Sequence, residues 1–316
     1  MRASVPANLL LLGEYAVLEE GGLGLAVAAD PRVRVRLERR TGTGLAVVAR
    51  MEAELHWSPG SARGDPRTAL LEAAVEVCCP EGPPAGTVEV DSSDFFFAGR
   101  KGGYGSSAAA AIALCWALLA LAAGSPPAPA AVLEAALAAH RRAQGGRGSG
   151  YDVLASFHGG VGLFVGGARP AWRPLHLPWL EPLYLFHGER SFSTPEAISK
   201  YREWRRRRPE EARRFLEESN RLVQGFARAA SRFQALRLLR RCRELGLRLG
   251  EAIGVPASLP TLGPAGWDRL VPDDCKALGA GNELALAFPE LPLEAPPRGL
   301  RQACLAREGL AQEGPG

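Results

Sequence analysis

Lys101-Gly-Gly-Tyr-Gly-Ser-Ser-Ala-Ala-Ala-Ala-Ile-Ala-Leu114 sets glycines and two hydroxyls directly before a long apolar run. Glycine lets the backbone curl through positive φ, so that consecutive N–H groups converge on an anion. A helix beginning near Ser106 adds the positive end of its dipole at the same place. Ser106 and Ser107 can donate to phosphate oxygens or hold a magnesium ion, and Lys101 can offset phosphate charge. The stretch is not a Walker A loop, because Gly-Lys-Ser/Thr after four free residues is absent. A glycine turn and a serine cap on a core helix would use the same letters. Taken alone, the stretch leaves both readings open.

Outward from it, residues 108–123 form an unbroken, alanine-rich apolar run, short for a bilayer span and suited to a core helix. Helices are expected over 68–78, 106–123 and 130–144, the last two parted by Gly124-Ser-Pro-Pro-Ala-Pro129. Upstream the pattern is β: Leu9-Leu-Leu-Leu12 as a buried strand, 24–30 as another, then alternation over 32–37 and 87–91. Downstream, 160–165, 183–186 and 284–288 read as strands. Residues 210–246 read as one or two long amphipathic helices. This mixture predicts an α+β chain of two lobes sharing a cleft, divided near residue 165. The Pro/Gly/Glu-rich end, 306–316, is expected to be a mobile tail.

Composition narrows the function classes. The chain has 316 residues, 47% hydrophobic and 23% charged, with a net charge of only +4. Glu203-Trp-Arg-Arg-Arg-Arg-Pro209 reads as a solvated helix end, and the aromatics lack the basic interleaving of a single-strand binder, so no nucleic-acid partner is expected. The six cysteines include no C-x-x-C pair and no zinc spacing with histidine, as for reduced thiols in a cytoplasmic protein. Met1-Arg-Ala-Ser-Val-Pro6, followed by so short an apolar stretch, reads as no signal peptide, and no membrane association is expected.

Three further stretches carry chemistry. In Pro6-Ala-Asn-Leu-Leu-Leu-Leu-Gly-Glu-Tyr-Ala-Val-Leu18 a buried strand ends at Gly13, placing Glu14 to hydrogen-bond into a cleft, or simply exposing it in a hairpin. Gly145-Gly-Arg-Gly-Ser-Gly-Tyr-Asp-Val-Leu154 follows a helix carrying His140 and delivers Asp152 into a new helix. That carboxylate can orient or deprotonate a phosphoryl acceptor, or merely cap the helix. Lys276-Ala-Leu-Gly-Ala-Gly-Asn-Glu-Leu284 is a glycine turn before an apolar strand, able to bring backbone close to a ligand.

In order, and over nearly the whole chain, these four stretches resemble the three signature motifs and the acidic turn of the GHMP kinases. That superfamily is named for galactokinase, homoserine kinase, mevalonate kinase and phosphomevalonate kinase. Gly13-Glu-Tyr-Ala-Val-Leu18, Lys101-x-Gly-x-Gly-Ser-Ser107 and Gly148-Ser-Gly-Tyr-Asp-Val153 are most similar to the phosphomevalonate kinase branch. Gly188-Glu-Arg-Ser-Phe-Ser-Thr194 is similar to its short Ser/Thr segment after a β-strand.

The resemblance implies a ribosomal-S5-like N-terminal lobe over 1–165, holding the ATP-phosphate loop, and a ferredoxin-like C-terminal lobe over 166–305. It implies ATP and Mg²⁺ as cofactors, with phosphorylation of 5-phosphomevalonate to 5-diphosphomevalonate. Gly103, Gly105, Ser106, Ser107 and Ala108 would line the ATP phosphates, with Ser107 at the metal. Lys101 and Asp152 would be catalytic. Asn8, Glu14, Tyr15, Arg147, Ser149, Ser193, Thr194, Gly279 and Gly281 would line the substrate. The partner is then a phosphorylated small molecule, and a homodimer is one assembly left open.

The chain departs from the family where motif one has Asn8 in place of lysine, and where motif three lacks two glycines and an aspartate and carries Glu283. Lys101, Arg100 or Lys276 would be the compensating cations. Another small-molecule kinase (mevalonate, homoserine or a sugar alcohol as acceptor) and a non-catalytic binding protein of the same fold are the alternatives.

Overall fold

The computed structural model describes residues 1–316 except 43, 62–64, 98–99, 102, 147, 188–192, 256, 258, 260–271, 280–283, 297–298 and 314–316. In chain order the first elements are β1 (Arg2–Leu12), β2 (Leu23–Arg39), β3 (Leu45–Arg50), β4 (Glu54–Trp57), α1 (Ala69–Cys78) and β5 (Gly86–Asp91). A pair of two-residue strands, β6 (Phe96–Phe97) and β7 (Arg100–Lys101), leads to α2 (Ser106–Ala123), α3 (Pro129–Ala143) and α4 (Tyr151–His158). Then come β8 (Val161–Val165), β9 (Ala171–Leu175), β10 (Leu183–His187), α5 (Thr194–Arg207), α6 (Pro209–Ala227) and α7 (Arg232–Ile253). Four strands close the chain: β11 (Cys275–Leu278), β12 (Leu284–Ala287), β13 (Arg301–Ala303) and β14 (Ala311–Glu313). The fold is α+β.

The chain divides into two units. One comprises Met1–Asn8, Ala28–Gly160 and Leu305–Gly316, the other Leu9–Val27 and Val161–Cys304.

In the first unit β5 lies between β2, antiparallel to it, and β3, parallel to it, and β4 extends the sheet beyond β3. Alternate residues Val33, Val35, Leu37, Val47, Val88 and Val90 face the core, as the period of two requires. Helix α2 packs against α1, α3, α4 and β5. It is apolar on every side and buried along most of its length, the mark of a core helix. By length and composition it would also pass as a membrane span. Glycines in left-handed conformation, Gly105 and Gly124, stand at its two ends. The 32–37 strand, expected to be separate from 24–30, is continuous with it in β2, because extended backbone accommodates the fixed φ of Pro31. The supposed tail is also engaged: β14 pairs with β1, Arg2 opposite Glu313, and Leu305 bridges Ala29.

In the second unit, residues 23–27 of β2 pair with β8, which pairs with β9. A separate four-stranded sheet runs β11-β12-β10-β13. The expected 210–246 helical stretch is two helices, with Ser231 Oγ capping α7 through Gln234 N. Trp179, Phe226 and Phe288 meet in edge-on and tilted pairs. The Arg232 guanidinium lies 3.8 Å over the Phe288 ring and donates to four backbone carbonyls. The arginine run closes α5 exposed to solvent, with Arg205 on Glu19, Arg207 on Glu203 and Arg208 on Glu211, as a solvated helix end would be.

Candidate active site

The first unit builds its site at the start of α2. Gly105 is the N-cap at φ 70°, and none of the described side chains caps the helix. Ser106 and Ser107 are therefore the first two helical residues rather than caps, and with Ala108 they place the orphan amides of the first turn beside the glycine bend. Tyr104 is buried and anchors that bend, while Gly103, Gly105 and Ser107 remain half-open to solvent. The Lys101 backbone pairs with Phe96 of β6.

Asn8 lies beneath the bend, only 2% exposed. Its backbone N–H donates to Tyr104 O at 3.0 Å, and its Nδ2 reaches Gly105 O at 3.3 Å and Ser156 Oγ at 2.9 Å. A Cβ on residue 105 would come within 2.4 Å of Asn8 Nδ2, so only glycine allows this approach. Asn8, expected at the substrate, is thus a brace joining the bend to α4.

Asp152 is in the first turn of α4, behind the left-handed Gly150. It is four residues before Ser156, hence on the same helix face, about 6 Å along the axis. The bend and the carboxylate are therefore tied together through one asparagine. Asp152 Oδ1 accepts from Val153 N at 2.9 Å, and Oδ2 stands 3.7 Å from His140 Nδ1. Ser149 is half-buried, its carbonyl held by Arg141 at 3.2 Å.

The second unit gathers a different subset. Gly13, at φ 93°, ends β1 where a Cβ would lie 2.2 Å from Leu23 O. Glu14 then turns into a cavity of about 60 Å³ shared with Tyr15, Cys242, Lys276 and Gly279 and floored by Phe215 and Leu249. Lys276 Nζ donates to Glu14 Oε1 and, at 2.9 Å, to Ala277 O, so its charge is already engaged. Tyr15 holds φ 64°, costly for a residue with a Cβ, and its ring rests 5.2 Å from that of Tyr201. Burial first, then the Glu14 carboxylate, raise the Tyr15 phenol above its ordinary range. Ser193 is the N-cap of α5 and Thr194 its first residue, both exposed. Arg147, Gly281 and Glu283 lie outside the described residues.

Three participants carried no role in the sequence: Ser156, His140 beside Asp152, and Cys242 in the cavity. Each meets its partner only through tertiary packing, and no local pattern marks it.

Among the described residues no group of three or more His, Cys, Asp or Glu could hold a metal. The Ser107 hydroxyl and the Asp152 carboxylate are hard oxygen donors, the type that magnesium takes.

Residues 70–160 match the family described as GHMP kinases N terminal domain. Curated proteins give no match. Among solved structures, the Lin0012 protein from Listeria innocua superposes with a TM-score of 0.72 at 18% identity, covering 92% of this chain and 90% of that one. Streptococcus pneumoniae phosphomevalonate kinase in complex with phosphomevalonate and AMPPNP gives 0.67 at 15% identity, with 91% and 92% covered. Methanococcus jannaschii mevalonate kinase gives 0.67 at 16%, with 92% and 90% covered. The chain therefore has the fold of these kinases, and within it residues 70–160 match the GHMP kinase N-terminal domain.

Proposed function

We propose that the protein transfers the γ-phosphoryl group of ATP to a small phosphorylated acceptor, 5-phosphomevalonate, releasing ADP and 5-diphosphomevalonate. The observation that carries this is the uncapped start of α2 at Gly105, tied through Asn8 to the helix that carries Asp152. Bare amides and a helix dipole suit a polyphosphate, and a carboxylate one helix away suits an acceptor and its metal.

An oxygen of the acceptor phosphate attacks the γ-phosphorus, the bond to the bridging oxygen breaks, and ADP leaves. Both reactants are polyanions, so the work lies in positioning and in offsetting charge. The amides of Ser106, Ser107 and Ala108 bind the donor phosphates. Asp152 orients the acceptor, which is already ionised near neutral pH and needs no strong base. Magnesium, when bound, neutralises charge on the phosphates. Lys101 supplies the cation nearest the bend in sequence.

ADP release measured with ATP, Mg²⁺ and 5-phosphomevalonate tests this reading. Turnover is expected, with kcat falling ~100-fold or more in Asp152→Asn or Ser107→Ala while circular dichroism stays unchanged. Absence of nucleotide binding by calorimetry at millimolar ATP and Mg²⁺ would defeat it. Nucleotide binding with inert phosphomevalonate would move the acceptor to mevalonate, homoserine or a sugar alcohol, assayed as a panel.

A further inference from the structure

His140 sits near the C-terminal end of α3, its side chain only 1% exposed. One ring nitrogen is engaged: Nε2 lies 3.2 Å from Gln144 Nε2. An amide nitrogen can only donate, so His140 Nε2 accepts and the neutral ring carries its proton on Nδ1. Among the described residues that Nδ1 has no hydrogen-bond partner, an unsatisfied polar atom in a buried place. Asp152 Oδ2 stands 3.7 Å from it, across the glycine turn that joins α3 to α4. Less than 1 Å of movement would bring the two within ordinary hydrogen-bond range of about 2.7–3.2 Å.

We propose that His140 is a positioning residue for Asp152. The neutral imidazole donates from Nδ1 to Oδ2, while Val153 N–H holds Oδ1. The two donors fix the rotamer of the carboxylate, leaving its other lone pairs for a ligand. Gln144 sets the tautomer, so the chain of contacts runs from the end of α3 to the first turn of α4. The effect on turnover rests on the phosphoryl-transfer reading; the contact itself does not.

Two measurements on the whole protein separate these points. Long-range ¹H–¹⁵N spectra of histidine-labelled protein at pH 8 should show His140 protonated at Nδ1 and bare at Nε2. Asp152→Ala should shift the Nδ1 signal. A ring carrying its proton on Nε2, or a signal indifferent to Asp152→Ala, overturns the contact. In the ADP-release assay, His140→Leu should lower kcat about 10–100-fold with little change in KM for ATP. His140→Asn, whose amide nitrogen can occupy the Nδ1 place, should recover to within about threefold of the native rate, by the same positioning argument. Equal loss in both variants overturns the role in turnover. If no acceptor is turned over at all, the kinase reading falls and the spectrum alone decides the contact.

Discussion

Asn8 Nδ2 donates to Ser156 Oγ across 2.9 Å, joining residues 148 apart in the chain. The same amide reaches Gly105 O, so one buried side chain holds the bend before α2 against α4. Asn8→Ala would leave the Ser156 hydroxyl and a backbone carbonyl without this partner, costing about 1–3 kcal/mol in urea unfolding. It would also loosen the bend, raising KM for ATP on the order of tenfold or more. Asn8→Asp should do the same, since a carboxylate cannot donate to Gly105 O. Native-like KM values in both variants would show that the brace does not govern the bend.

Gly105 offers a sharper test of that geometry. Alanine there must adopt φ near 70°, a strain of about 1–3 kcal/mol, and its Cβ meets the Asn8 amide at 2.4 Å. Gly105→Ala should therefore be destabilised by more than the backbone term alone. Adding Asn8→Gly removes the clash but not the strain, so the pair should recover in part. Strict additivity of the two changes would mean that the side chains do not meet.

How much of this was legible beforehand follows from where the information lies. Helix α2 was readable to the residue because a glycine punctuates each end of an unbroken apolar run. The glycine-dense turn likewise announced Asp152 at the start of a helix. Of helix α5 only the solvated end at 203–209 was legible: Ala197 and Tyr201 alone are buried along it, too few to make an apolar stripe among its charges. β14 was hidden for another reason, since its Ala-Gln-Glu carries no strand signal and forms by pairing with the far end of the chain. Asn8 read as a lost cation when set against a family lysine. Its bracing role depends on Gly105 and Ser156, which sequence distance conceals.

Glu14 and Lys276 form an ion pair with side chains only 15% and 6% exposed. Lys276→Met would strand a carboxylate in a mostly apolar cavity, at a cost of about 3–5 kcal/mol. Glu14→Gln alone should also destabilise, by leaving the ammonium without its counter-charge. The double variant Glu14→Gln/Lys276→Met removes both charges and should be more stable than Lys276→Met. Urea midpoints of the three variants measure this. A Lys276→Met midpoint equal to that of the native chain would mean that the pair contributes nothing.

The six thiols are all free and divide by burial. Cys304 is exposed and should react first with a thiol reagent at pH 8. Cys78, half-buried, follows, because the Cys115 thiol donates to it and lowers its pKa. Burial pushes Cys79 up to about 11 and both Cys242 and Cys275 up to about 12, and Cys115 is also raised. These four should react only on unfolding, and Cys304→Ser should abolish the fast phase alone. The same shifts set a stability trend. From the ordinary value of 9.0 upward the unfolded chain loses these thiol protons while the folded chain keeps them. The unfolded state then binds fewer protons, so stability contributed below pH 9 declines as pH rises toward about 12. Cys242→Ala should flatten the decline in urea midpoint above pH 9. An unchanged slope would mean that the Cys242 thiol ionises as readily inside the fold as outside it.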